Sequence, residues 1–209
     1  MPNTNRLSPR LTDLVAKGVV LHQSLASRLD DLLIQKTRKK IFAVACFDLT
    51  IEHHLAICQL VSTGAYGSAF ALARPAFEGF VRGVWLLNCT TDQEISSYQQ
   101  DKKPPEINQV ISQIEQGGGF ESGRLNEIKI ACWSAMCSYT HGGVMQASRR
   151  HTEDTIEPDY KDEEILELLR LAGTCALLAF QQIAGVAGAL KVAMQANDLL
   201  VAHIEDHKQ

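Results

Sequence analysis

The sequence predicts an all-α protein, a bundle of four to five long helices with short extra helices in its middle connection. Apolar residues recur at helical spacing along the whole chain of 209 residues. Alternating apolar and polar runs bounded by turn residues, which would indicate strands, are absent from the sequence. A chain of this length can bury one sizeable core, so we interpret residues 1–209 as a single domain.

Capping residues place the helices of the N-terminal half. Ser8 followed by Pro9 offers an N-cap and a first-turn proline, and Thr37 offers a second N-cap. Gly64 ends the second helix, and Pro75 either bends the third helix or opens its second half. The three predicted helices have approximate bounds 9–33, 39–61 and 66–87.

The C-terminal half begins with a polar stretch, residues 89–123, which contains DKKPPE and EQGGGFESG. We expect short helices and mobile connections there. The alternatives that this stretch forms a lid or a dimerisation element stay open. A further helix from about Arg124 to Tyr139 stops at Gly142 and Gly143. After a loop that contains Pro158, one long final helix is predicted over 162–203, with close approach of another backbone allowed at Gly173, Gly185 and Gly188.

Composition and charge narrow the class of partner. The net charge is -4 and charged residues make up 21% of the chain, so no large electrostatic field favours nucleic acid or a membrane surface. The N-terminal residues MPNTNRLSPRLTDL lack a charged-then-apolar signal pattern, which predicts a cytoplasmic protein. The six cysteines form no Cys-x-x-Cys pair, and we expect them to be unpaired core residues.

One apolar stretch, residues 171–193, reaches the length of about 20 residues that a membrane span needs. Polar residues interrupt it, and it continues from an amphipathic Glu/Leu segment. A buried helix of the bundle explains this pattern, so no membrane partner is expected. The interrupting residues are Thr174, Gln181, Gln182 and Lys191.

The third predicted helix carries a charged stripe in ALARPAFEGFVRGVWLL. Its charged residues are Arg74, Glu78 and Arg82, four positions apart. Residues at this spacing advance by only about 40° per step around a helix, so the three side chains lie on one face. Because the helix is otherwise apolar, we expect the stripe to be partly buried and therefore paired with opposite charges.

The second predicted helix offers partners for the stripe. Asp48 and Glu52 stand four apart in ACFDLTIEHHLAIC, and we expect one of them to pair with an arginine of the stripe. Such a network either fixes helix register or forms a binding site. The neighbouring His53 and His54 suggest a di-iron bundle, but a second Glu-x-x-His copy and a His-Glu-x-x-His motif are both absent. We therefore expect no metal.

The helix that ends at about Tyr139 places His141 in a second candidate position, within SYTHGG. Thr140 precedes this histidine and two glycines follow it, so backbone groups are free at the helix end. A histidine here either caps the helix C-terminus, worth up to about 2 kcal/mol when it is charged and partly buried, or takes part in function. We expect His141 to lie near the stripe.

The combination of ALARPAFEGFVRGVWLL and SYTHGG resembles an uncharacterised group of bacterial all-helical proteins, over about residues 38–150. In that group an Arg-Pro-x-x-Glu helix precedes a Ser/Thr-x-His-Gly turn, and the group looks like a distant relative of the HEPN superfamily. The resemblance implies a helical bundle, often a dimer, and a metal-independent ribonuclease of a toxin or antiphage system. Such ribonucleases use an arginine and a histidine that are separated by four to six other residues.

The motif departs from that pattern at its arginine. His141 matches the histidine, but Ser134, Ala135 and Met136 stand where the arginine belongs. The family route to RNA cleavage then requires Arg74 or Arg82 to supply the cation from another helix.

Three hypotheses about function follow. The missing arginine and the acidic net charge favour a non-catalytic bundle that binds a small ligand or a protein partner, without a cofactor. The alternatives are a HEPN-like ribonuclease or RNA-binding protein, with Arg82 and His141 as catalytic residues, and a metal protein or another enzyme. We also expect a homodimer, because long Gly/Ala-rich helices leave an apolar face that one chain cannot cover. The candidate binding residues are Asp48, Glu52, Arg74, Glu78, Arg82, Thr140 and His141.

Overall fold

The computed structural model describes residues 7–30, 32–102, 104–117 and 123–207, and these residues form helices and connections without a strand. The predicted all-α class is confirmed. Residues 118–122, part of the glycine-rich stretch expected to be mobile, lie outside the described residues. The helices are α1 (Pro9–Leu29), α2 (Arg38–Ser62), α3 (Tyr66–Ala71), α4 (Ala73–Asn88), α5 (Asp92–Gln99), α6 (Ile107–Gln116), α7 (Arg124–Thr140), α8 (Val144–Ser148), α9 (Asp162–Val186) and α10 (Leu190–Asp206).

Helix α2 is the centre of the bundle. It packs against α1, α4 and α9, and α10 packs against α9. Burial of apolar surface in this arrangement supplies the main driving force for folding. The largest fully buried side chains are Phe47, Phe77, Phe80, Trp85 and Phe180.

Small residues bring α2 and α4 into close contact. A Cβ atom at Gly83 would overlap the ring of Phe47, and one at Gly79 would lie 2.8 Å from Thr50 Oγ1. The Thr50 hydroxyl donates to the carbonyl oxygen of Ala76 across the same contact, at 3.4 Å. The side of α4 that carries Ala76, Gly79 and Gly83 therefore faces α2.

The third predicted helix is two helices. α3 ends at Ala71 and α4 begins at Ala73, with Pro75 in the first turn of α4. A proline is tolerated there because a first-turn N–H has no partner within its own helix. Pro75 thus opens the second half, which is one of the two alternatives left by the sequence.

The prediction of one long final helix over 162–203 is wrong. α9 ends at Val186, and Gly188 adopts a left-handed conformation with φ of +73°. This conformation ends a helix and favours glycine. α10 then folds back on α9, and Gly173 provides the close approach, because a Cβ atom there would overlap the ring of His203. The first helix is also shorter than predicted and ends at Leu29.

Two helices, α2 and α9, are long and apolar enough to cross a membrane when judged by length and composition alone. The core helix of a soluble protein passes the same test, so this observation is weak evidence for a span. In the bundle, 56% of the apolar window of α9 is buried inside the protein. All six cysteines are free, as predicted.

Histidines gather between α2 and α10, a feature that the sequence did not indicate. His54, His203 and His207 line a cavity of about 270 Å³ that α1, α2, α9 and α10 enclose. His203 Nε2 donates to the carbonyl oxygen of Arg170 (3.1 Å), and His207 Nδ1 donates to that of His203 (2.8 Å). Burial, together with the neighbouring histidines, lowers the pKa of His54 to about 3. Burial also lowers the pKa of His203 and that of His207.

We predict that acid destabilises the fold through this cluster. The unfolded state takes up protons below the ordinary histidine pKa of about 6.5, whereas folded His54 stays neutral to about pH 3. The stability present above pH 6.5 is therefore lost as the pH falls, by about 2–3 kcal/mol at pH 4.5 for His54 alone. Urea unfolding of His54→Leu should show a smaller loss between pH 7 and pH 4.5 than the wild type. The account is contradicted if His54→Leu loses as much unfolding free energy between pH 7 and pH 4.5 as the wild type does. It is also contradicted if the control His151→Gln, at an exposed site, reduces that loss as much as His54→Leu does.

We predict opposite effects for alanine at two helical glycines. Gly83→Ala should destabilise the protein by about 1–2 kcal/mol, because strain against Phe47 exceeds the gain in helix propensity. Gly185→Ala should stabilise it by about 0.5–1 kcal/mol, because nothing lies within 4 Å of the added methyl group. Thermal and urea unfolding measure both changes. Equal effects at the two positions would show that α2 and α4 do not approach closely.

Candidate functional site

The charged stripe of α4 is a network in which two arginines share one carboxylate. Arg74 Nε donates to Glu78 Oε1 at 2.6 Å, and Arg82 Nη2 donates to Glu78 Oε2 at 3.3 Å. The side chains of Arg74, Glu78 and Arg82 are 23%, 19% and 19% exposed. The three groups thus lie on one face and are mostly covered, as the spacing predicts.

His141 extends the network at the Arg74 end. Arg74 Nη1 lies 2.5 Å from His141 Nε2. Since a guanidinium group can only donate, His141 Nε2 accepts this hydrogen bond and carries no proton, and the neutral ring keeps its proton on Nδ1. The Arg74 guanidinium also lies over the ring of Trp133, with Cζ 4.7 Å from the ring centroid. The predicted closeness of His141 to the stripe is confirmed.

The other end of the network lies beside the segment that precedes α6. Arg82 Nη1 donates to the carbonyl oxygen of Pro105 at 3.4 Å, and the hydrogen bond to His141 comes from Arg74 instead. Next to Arg82, Trp85 Nε1 donates to Gln113 Oε1 of α6 at 2.5 Å. The stripe therefore faces α6 and α7. Arg74, and not Arg82, is the arginine that meets His141.

The predicted pairing of the stripe with Asp48 or Glu52 is wrong. Both carboxylates are exposed on α2, and within the described ranges neither forms an ion pair with Arg74 or Arg82. The reason is the rotation of α4. Each residue advances about 100° around a helix, so Gly79 and Ala76 of the α2-facing side lie roughly 100° and 160° from Glu78. Among the described residues, no group of three or more His, Cys, Asp or Glu side chains is placed to hold a metal ion.

Thr140 holds α7 against the junction of α3 and α4. Its hydroxyl group donates to the carbonyl oxygen of Met136 at 2.8 Å and to that of Ala71 at 3.2 Å. These bonds engage the hydroxyl proton, so Thr140 positions the following His141 relative to α4.

An open cleft of about 670 Å³ begins at the residue after His141. Its charged lining residue is Arg150, and Gln146 Nε2 donates to the carbonyl oxygen of Gly67 at 3.2 Å along its wall. A volume of this size is typical of small-molecule sites. The lining residues are Thr63, Gly64, Ala65, Gly67, Ser68, Gly142, Gln146, Ala147, Arg150 and Pro158.

An aromatic cluster supports this cleft from behind. The ring of Phe70 stacks on that of Tyr160 at 5.2 Å and lies 4.7 Å from that of Tyr139. A Cβ atom at Gly67 would stand 3.2 Å from the Tyr160 hydroxyl oxygen, which is buried and has no hydrogen-bond partner among the described residues. Burial raises the pKa of Tyr139 and that of Tyr160, so both phenols stay neutral at physiological pH. The rings hold α3 and α7 together and fix the shape of the cleft.

Sequence reasoning missed Trp133 and the cleft. Trp133 stands eight residues before His141 in the same helical segment, which puts both on nearly one face, so its spacing was a usable signal. Arg150 and Gln146 gave no such signal. They reach the cleft through the short helix α8, and the opposite wall comes from the α2–α3 turn about 80 residues earlier.

Comparison with known proteins gives a family match. The model of a family of unknown function, DUF6988, matches residues 47–207, which include α4, α7 and the cleft. No curated protein and no solved structure matches the chain.

We predict that Glu78→Ala destabilises the protein by about 3 kcal/mol, because two mostly covered guanidinium groups lose their shared carboxylate. Glu127→Ala is the matched control, since Glu127 pairs with Arg124 on the exposed surface of α7 and should change stability by less than about 1 kcal/mol. Urea unfolding at neutral pH measures both. A Glu78→Ala effect as small as that of the control would show that the network contributes little to folding.

Proposed function

We propose that this chain, which belongs to DUF6988, a family of unknown function, is a non-catalytic helical bundle that binds a small molecule carrying a carboxylate or phosphate group. One observation carries the proposal. Two guanidinium groups share a single carboxylate, so Arg74, Glu78 and Arg82 together carry one net positive charge next to exposed His141, which directly precedes Gly142 of the cleft.

The lining of the cleft fits such a ligand. Arg150 supplies a second positive charge, which no ion pair among the described residues engages, and a guanidinium group forms charge-assisted hydrogen bonds with anions. The hydroxyl group of Ser68 adds a neutral donor, whereas that of Thr63 already donates to the carbonyl oxygens of Gln59 and Leu60. Glycines at 64, 67 and 142 leave the backbone bare along the walls, which gives a ligand close access to peptide groups.

The hydrogen-bond pattern supports binding more than catalysis. His141 Nε2, the ring nitrogen able to take a proton, is occupied by Arg74. Arginine does not exchange its proton near neutral pH, so this pair lacks the second proton-transferring group that metal-independent RNA cleavage requires.

A HEPN-like ribonuclease or RNA-binding protein is the alternative, and one contact favours it. Arg74 reaches His141 from another helix and so stands in for the arginine that the family motif would place at Ser134, Ala135 or Met136. The cation and the histidine of such a site would then be Arg74 and His141, with Arg82 held at a distance by Glu78 and Pro105.

We predict saturable binding of an anionic probe at the cleft. Inorganic phosphate, pyrophosphate and citrate are titrated against the protein by calorimetry, and at least one should bind. Arg150→Ala should weaken that binding about tenfold, the loss expected for one charge-assisted hydrogen bond of roughly 1.4 kcal/mol. Arg124→Ala, at the far end of α7, is the control and should bind as the wild type does.

Two outcomes contradict the proposal. One is a lack of saturable binding by all three probes at millimolar concentration, and the other is an equal loss of affinity in Arg150→Ala and Arg124→Ala.

A second assay tests the ribonuclease alternative. The same preparations are incubated with a fluorescent single-stranded RNA in the presence of EDTA. Cleavage that disappears in both Arg74→Ala and His141→Ala would establish the ribonuclease alternative instead.

A further inference from the structure

Helix α10 carries an uncovered apolar stripe on its outer side. Leu190, Met194 and Val201 are 73%, 70% and 49% exposed. At spacings of four and seven residues they fall within about 40° of one another around the helix. Within α10 the fully buried residue is Ala196, which lies on the opposite side against the bundle. An apolar stripe of this kind on a surface helix indicates a contact with another protein surface.

Contacts within the chain fix the orientation of α10. It packs on α9, and two hydrogen bonds tie its flank to α1. Lys17 Nζ donates to Asp206 Oδ2 at 3.3 Å, and Arg28 Nη1 donates to Gln195 Oε1 at 2.6 Å. The stripe therefore points away from both neighbouring helices.

Two exposed charges flank the stripe. Lys191 and Asp198 lie roughly 100° and 80° around the helix from Leu190, and so on the same flank. They stand seven residues apart, about 10 Å along the axis. No ion pair in the described part of the chain engages either of them.

We propose that α10 pairs antiparallel with α10 of a second copy of this chain, about a two-fold axis near residues 195 and 196. In this register Leu190 packs against Val201 of the second copy and Met194 packs beside its Asn197. The same flank of each helix meets across the axis. Lys191 of each copy then lies within one turn of Asp198 of the other.

The charge pattern identifies the occupant and the direction. A two-fold symmetric contact requires a surface patch that is complementary to the same patch on the second copy. Lys191 of one copy can meet Asp198 of the other, and the reverse, only when the two helices run in opposite directions. A parallel two-fold pair would instead bring this flank against the opposite flank of the second helix, which carries Ala193, Asn197 and Leu200, so neither charge would meet an opposite charge. A contact between single helices is at the small end of specific interfaces, so we expect a micromolar dissociation constant.

A charge exchange tests both the partner and the register. Sedimentation equilibrium across the micromolar range should give a wild-type mass that approaches twice 23.0 kDa. Lys191→Asp and Asp198→Lys should each raise the dissociation constant about tenfold, because two ion pairs become two repulsions. The double variant should restore the dissociation constant to within about threefold of the wild-type value.

A second substitution tests the apolar stripe. Met194→Glu should leave a monomer, whereas Ile130→Glu, on an equally exposed residue of α7, should leave the dimer intact.

Three results would overturn the proposal. A mass that stays at 23.0 kDa throughout the range would exclude the dimer. A dimer that survives Met194→Glu would place the contact elsewhere, and a double variant no better than the single variants would exclude the antiparallel register. Circular dichroism melts of each variant confirm folding, and the exposure of all four substituted side chains makes misfolding unexpected.

Discussion

The close contact between α2 and α4 determines the rest of the molecule. Gly79 and Gly83 leave no room for a side chain between the helices, and Phe47 and Thr50 fill the space that these glycines leave. Helices that approach this closely cannot rotate without a clash. The contact therefore sets the rotation of α4, and with it the direction in which the charged stripe points.

The fold and half of the site follow from local sequence patterns. Helical periodicity and caps located α2, α4, α7 and α9, because each signal acts within a few residues. The stripe itself follows from spacing within one helix. Its partner does not, because pairing depends on how two distant helices are rotated. The small residues at 76, 79 and 83 did mark the α2-facing side, and weighing them would have excluded Asp48 and Glu52.

Other features depend on contacts that no local pattern encodes. Gly188 ends α9, and the chain turns so that α10 packs against α9. A straight continuation of α9 could not make this contact. The cleft combines two segments about 80 residues apart, one of them a helix of five residues. The histidines meet between helices at opposite ends of the chain. Tertiary packing decides each of these.

The two bonds between α1 and α10 bear on how the chain folds during synthesis. Lys17 and Asp206 are 189 positions apart, so the surfaces they join leave the ribosome at nearly opposite times. Translation proceeds at about 5–20 residues per second, which leaves the α9-facing and α10-facing sides of α1 uncovered for some ten seconds or more. During that interval Leu14 and Leu21, which line the cavity that α1 shares with α9 and α10, are accessible to chaperones and to other nascent chains. Slow translation would therefore lengthen the time for which this side of α1 is exposed.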